Sequence, residues 1–136
     1  MKLKTMLITI VMLTCALSAH AQQMYDRSGS FIGRYESGRI YDRTGSYEGK
    51  TDSGRFYDRT GSYLGCERNG SFYDRTGSYL GYGKDDRFYD RSGSYIGYIN
   101  SSNNVYDRSG SFTGRFSNVP HTVAAAIYLY GFYPLH

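Results

Sequence analysis

This chain has no tryptophan, only two cysteines, and no apolar run long enough to cross a bilayer. A membrane-spanning helix needs about 20 consecutive apolar residues. The longest apolar stretch, Met6 to Leu17, falls well short and excludes a transmembrane span of that kind. Charge of one sign is not in large excess either: 16 Lys and Arg against 12 Asp and Glu leave +4. That is too mild a balance to argue for nucleic acid as a partner. No phosphate loop, nucleophile elbow or HExxH helix occurs.

The first residues have the composition of a processing signal. Lys2 and Lys4 precede the apolar run, and Ala19-His20-Ala21 offers small residues at the offsets a signal peptidase needs. Residues 1–21 are therefore expected to be a signal peptide cleaved before Gln22, with the product secreted or periplasmic. A lipoprotein anchored through Cys15 is the weaker alternative, because Met12 and Thr14 fit a lipobox badly. Cleavage would remove two lysines and no acid, lowering the formal charge from +4 to +2. It would also leave Cys66 alone, so no intramolecular disulfide could form. Stability must then come from burial. The supply is 16 Tyr and 7 Phe, all after residue 24, each able to bury on the order of 150–250 Å².

Those aromatics are periodic. Tyr25, Tyr41, Tyr57, Tyr73, Tyr89 and Tyr106 each open a copy of Y-D-R-[ST]-G-S-[FY], at spacings of 16, 16, 16, 16 and 17 residues. A second glycine follows each copy at Gly33, Gly49, Gly65, Gly81, Gly97 and Gly114. Such self-similarity marks a repeat architecture. Asp-Arg-[ST]-Gly has the chemistry of a type I turn closed by a glycine bulge. The intervening segments, from Glu36-Ser37-Gly38 to Ser101-Ser102-Asn103-Asn104, are also rich in turn residues. The fold class is all-β: short hairpins of about 16 residues over 22–118. Glycine every few positions argues against helix there.

Strand parity sorts the faces. With an odd number of residues in both loops, Tyr41, Tyr47 and Gly49 share one face. The other face collects Ile40, Phe56, Phe72 and Phe88 with Ile32, Leu64, Leu80 and Ile96. Both faces are then largely apolar, so the hairpins should pack on one another around an axis. The second glycine leaves a slot where a neighbouring ring can lie on the backbone.

The Y-D-R-[ST]-G-x-[FY]-x-G unit, its period, the leader and the Ala124-Ala125-Ala126 tail resemble the five-fold beta-flower family of secreted bacterial proteins. The resemblance implies hairpins around a pseudo-rotation axis, and it brings no catalytic residues. Choline-binding repeats, by contrast, depend on tryptophan. The six motif turns enclose five complete hairpins. The half-units Met24–Asp26 and Ser111–Phe116 either flank a five-fold flower or pair with each other to close a six-fold ring; the resemblance favours five.

A residue present in every copy is explained first by folding. The six turn aspartates are accordingly turn residues rather than catalytic carboxylates or calcium ligands. Arg27, Arg43, Arg59, Arg75, Arg91 and Arg108 have no such duty. They are expected at turn tips on one end, either as a solvated rim or as a basic ring for an anionic glycan or phosphate-bearing headgroup. Pattern-breakers are few. Glu48 and Thr113 replace an aliphatic residue, and Cys66 takes a position held elsewhere by Arg34, Lys50, Tyr82 and Tyr98. His121 and His136 lie in or beside the tail, so Cys66 has no evident base and a zinc site has too few ligands. No metal or cofactor is expected.

The apolar tail, 119–136, departs from the repeat, and its conformation is not settled by periodicity. It either plugs the repeat array or anchors the protein to a partner or a membrane. The chain thus reads as a non-catalytic structural or protein-interaction module, with carbohydrate or anionic-ligand binding as the alternative. Its partner would be a protein or a cell-envelope glycan.

Overall fold

Each Asp-Arg-[ST]-Gly segment makes the turn its composition predicts. In the second copy, Asp42 Oδ1 accepts hydrogen bonds from Thr44 N at 2.8 Å, Thr44 Oγ1 at 2.6 Å and Ser46 N at 3.0 Å. Gly45, at φ +86°, donates its N–H to Asp42 O at 3.0 Å. The glycine takes the left-handed conformation that closes a three-residue hairpin loop. The computed structural model describes residues 22–135; the expected leader and Cys15 lie outside the described residues.

Twelve antiparallel strands follow: β1 (Gln23–Asp26), β2 (Phe31–Glu36), β3 (Arg39–Asp42), β4 (Tyr47–Asp52), β5 (Arg55–Asp58) and β6 (Tyr63–Arg68), then β7 (Ser71–Asp74), β8 (Tyr79–Lys84), β9 (Arg87–Asp90), β10 (Tyr95–Ile99), β11 (Asn104–Asp107) and β12 (Phe112–Phe116). They close into one barrel. The two half-units meet: β1 pairs with β12 through Met24↔Phe116, Tyr25↔Arg115 and Asp26↔Gly114. Closure is therefore six-fold in hairpins, not five-fold. Five hairpins are continuous through loops at the far end, and the sixth is assembled from β12 and β1. Pairing satisfies backbone groups that two open edges would leave exposed.

The far-end loops are shorter than an odd count requires. Ser37 and Gly38, at φ +51° and +80°, form a two-residue turn, as do 53–54, 69–70 and 85–86. Positive φ at both positions is the type I′ geometry that matches strand twist. The fifth loop explains the spacing of 17. There Asn100 Oδ1 accepts from Ser102 N at 3.0 Å and Asn104 N at 2.9 Å, and Asn103 stands in the glycine's place at φ +63°. It is the Asp-type turn built with asparagine, one residue longer.

A bulge in each hairpin then corrects the face assignment. Tyr41 pairs with Tyr47, but Ile40 pairs with Gly49, so Glu48 is the extra residue. The motif tyrosine and the following aromatic do share the outer face. The second glycine instead joins Ile40 inside. The hairpins consequently join edge to edge, with an apolar interior and a tyrosine exterior, rather than stacking as two-faced blades.

Met24, Ile40, Phe56, Phe72, Phe88 and Val105 give one inward side chain per hairpin, none more than 4% exposed. The tail fills what they leave. It is not an extended apolar tail: α1 (His121–Tyr128) is a helix, with Ala124, Ala125 and Ala126 completely buried. Its N-terminal His121 contacts Asp86 and Asn103 in the far-end loops, while Tyr128 reaches the opposite end at Tyr25. Eight residues give about 12 Å of helix, close to the roughly 13 Å of a four-residue strand. A wall of this height is plugged by one short helix, and three alanines keep its waist narrow.

Beyond α1 the chain circles the mouth at the Asp-turn end. A β-carbon added to Gly114, Gly97, Gly65, Gly49 or Gly33 would meet, in turn, Tyr128, Leu129, Phe132, Tyr133 or Leu135 within 3.2 Å. Beside Gly81, the Tyr130 hydroxyl donates to Tyr89 O at 2.8 Å. Five tail side chains thus occupy five glycine slots in reverse strand order, and the Tyr130 hydroxyl bonds the backbone beside the sixth. The tail plugs the barrel.

Candidate functional site

The six arginines Arg27, Arg43, Arg59, Arg75, Arg91 and Arg108 are exposed, each in one of the six Asp-type turns. Strand alternation puts those turns at one end of the barrel, around the mouth that the tail closes. Strands lie about 4.8 Å apart, so successive tips stand roughly 10 Å apart around the rim. A polymer of anionic groups could follow several such tips around the rim.

The aspartates beside them are committed to their turns. Hydrogen bonds from the following hydroxyl and amides hold the carboxyls of Asp58, Asp74, Asp90 and Asp107 below the usual range. The rim cations add to this, Arg59 acting on Asp58 and Arg27, across the barrel seam, on Asp107. These groups act as hydrogen-bond acceptors within their turns.

The outer wall carries a second constellation that residue repetition alone did not reveal. In all six hairpins the motif tyrosine meets the aromatic after the turn edge to face, at centroid distances of 5.8–6.1 Å. On the other side of each tyrosine a preceding strand supplies a stacking partner. Arg34 lies 4.1 Å from the Tyr41 ring, Lys50 5.4 Å from Tyr57, Arg68 5.0 Å from Tyr73 and Arg115 4.5 Å from Tyr25. Tyr82 and Tyr98 instead stack on Tyr89 and Tyr106, at 4.8 and 5.0 Å. The wall is a belt of aromatic rings, four of them covered by cations.

Two grooves cut this belt. One, of about 490 Å³, is lined by Arg39, Tyr41, Tyr47, Lys50, Arg59, Thr60 and Gly61. Its neighbour, of about 360 Å³, is lined by Arg55, Tyr63, Cys66, Glu67, Arg68 and Tyr73, with Ser53 and Gly77 at its edges. Of the arginines expected at the rim, Arg59 alone lines the larger groove. Arg39, Lys50 and the two tyrosines were the residues to find. For Lys50 the signal was the variable column Arg34, Lys50, Cys66, Tyr82, Tyr98, which the register places beside the motif tyrosines.

Cys66 is half-buried in that column and free. Its nearest polar influence is on Tyr63, whose hydroxyl is held above its ordinary range by a hydrogen bond to the thiol and by burial. His121 is elsewhere, with Nδ1 2.8 Å from Asp86 Oδ1 and Nε2 2.8 Å from Asn103 Oδ1. Both ring nitrogens are engaged in fixing the entry of α1. His136 lies outside the described residues. Asp86 and Asn103, both at positive φ, hold the His121 ring. No cluster of three metal-ligating side chains occurs among the described residues.

The family model described as "5-fold beta-flower protein" matches residues 21–133 of this chain. No curated protein and no solved structure matches it.

Proposed function

The chain belongs to the 5-fold beta-flower family, and from that premise we propose that it is a non-catalytic binding module of the cell envelope whose outer wall engages an anionic glycan. One observation carries this reading: cations and tyrosine faces converge on outer-wall grooves, as in the groove of Arg39, Tyr41, Tyr47, Lys50 and Arg59. Aromatic faces suit the apolar faces of sugar rings, and guanidinium and ammonium groups suit their carboxylates or sulfates. The interior is occupied by the protein's own tail, which leaves the exterior for ligands. The turn aspartates are consumed by their hydrogen bonds, in keeping with a protein that binds without reacting. Secretion to the periplasm or beyond, through the leader at residues 1–21, is part of the same proposal.

The test is retention on sulfated and uronate polysaccharide columns against a neutral dextran column. Salt-sensitive retention on an anionic column is expected. Equal elution from all three would remove the reading.

A structural or protein-interaction role is the second reading. It is favoured by Tyr63 and Tyr79, which are 37% and 38% exposed and lie one hairpin apart. Sedimentation of the wild type and of a Tyr63→Ser, Tyr79→Ser variant checks it. Self-association lost in the variant would support it, and a monomer in both would count against it.

A further inference from the structure

The six repeats are not equivalent on the outer wall, and the differences single out one groove. Resting on the glycan-binding reading, we infer that the groove between the Tyr41–Tyr47 pair and the 59–61 turn is the principal site, and that it takes an acidic sugar residue of a polysaccharide. The sugar ring lies against the tyrosines while its carboxylate or sulfate sits among Arg39, Lys50 and Arg59.

Three comparisons within the molecule carry the inference. First, no carboxylate lines this groove, whereas Glu67 lines its neighbour. Second, the neighbour has Cys66 where this groove has Lys50, so it lacks a cation at the corresponding point. Third, the β8–β9 and β10–β11 units carry Tyr82 and Tyr98 in the Lys50 column. These rings stack on Tyr89 and Tyr106 at interplanar angles of 19° and 16°. Each stack leaves that point of its unit without a cation.

Lys50 is also the least committed cation of its column. It stands 5.4 Å from its tyrosine, while Arg34 and Arg115 stand at 4.1 and 4.5 Å. Arg34 is further tied to Glu36 at 3.3 Å. An exposed lysine beside two exposed arginines keeps its ammonium available, and charge-assisted hydrogen bonds to an anion are the strong ones. The volume, about 490 Å³, falls within the range of about 300–1,000 Å³ usual for small-molecule sites.

The experiment measures binding of uronate oligosaccharides, sulfated heparin oligosaccharides and neutral dextran to the intact protein by calorimetry. The variants are Lys50→Tyr, Lys50→Arg, Arg59→Gln and, as a distant rim control, Arg91→Gln. Tyrosine is already used at the equivalent position 82, so Lys50→Tyr keeps the fold, checked by its thermal melt. Lys50→Tyr and Arg59→Gln are expected to weaken anionic binding at least tenfold and Arg91→Gln to leave it within twofold of wild type; Lys50→Arg, whose guanidinium should stack on Tyr57 as Arg34 does on Tyr41, weakens it several-fold. Preference between uronate and heparin then identifies carboxylate or sulfate as the anion. Full-strength anionic binding by Lys50→Tyr and Arg59→Gln would overturn this site and leave the glycan reading standing. So would binding to dextran that Lys50→Tyr does not change. Wild-type protein that binds none of the three would overturn both.

Discussion

The Tyr128 ring lies over Gly114, so close that a β-carbon there would stand 2.6 Å from Tyr128 Cε1 and 2.4 Å from Tyr25 O. The glycine is not in a left-handed conformation, so its role is room alone. Gly114→Ala must displace either the tail or the β1 backbone. It is expected to cost about 2–3 kcal/mol in chemical denaturation, in the range of core overpacking. Gly61→Ala serves as the comparison, because its β-carbon would meet nothing within 4 Å. That change carries only the strain of positive φ, about 1 kcal/mol. Equal costs would argue against the tail occupying the glycine slot.

The tail also sets an alkaline signature. Burial pushes the hydroxyls of Tyr128, Tyr130 and Tyr133 well above the ordinary tyrosine range, against the opposing pull of their backbone partners. Their folded pKa lies above the unfolded value near 10. Their contribution to stability is therefore complete below about pH 10 and is lost as pH rises beyond it. An ultraviolet titration should show tyrosinate forming in two stages, the late one coinciding with unfolding. Replacing all three by Phe should remove three tyrosines from the late stage.

The turns set an acid signature of opposite sign. The carboxyls of Asp42, Asp58, Asp74, Asp90 and Asp107 are held low, first by the side-chain hydroxyl two residues on. Their stabilisation is present above the unfolded pKa near 3.9 and is lost as pH falls below it. Asn100 shows that an amide oxygen supports the same turn. Changing these five aspartates to asparagine should keep the fold at pH 7. The melting temperature should then fall less between pH 5 and pH 2 than in the wild type.

Much of this architecture is legible in the sequence, because a repeated motif reports repeated local chemistry. Asp and Gly at fixed offsets specify the turn, and the apolar residue before each motif tyrosine specifies the wall's inner face. Parity failed where the backbone departs from regular alternation. Glu48 is a bulge residue, and a bulge moves every later side chain to the other face. Six-fold closure stood in the sequence only as one of two alternatives, because the pairing of β1 with β12 is something no local pattern encodes. The helix within the tail was hidden because its alanines are explained by the width of the barrel rather than by a polar and an apolar face. The outer groove was hidden for a related reason. Lys50 and Arg59 are nine residues apart and line one groove because β4 and β5 pair antiparallel, with Lys50 opposite Tyr57.

In the proposed function, ligand binds outside a barrel whose inside is filled by its own chain. One titration tests this division most directly: amide chemical shifts of the intact protein followed as an acidic oligosaccharide is added. Changes are expected at Arg39, Tyr41, Tyr47, Lys50 and Arg59, with the amides of residues 121–135 unmoved. Changes concentrated in 121–135, with the outer wall silent, would mean that ligand displaces the plug and would contradict that division.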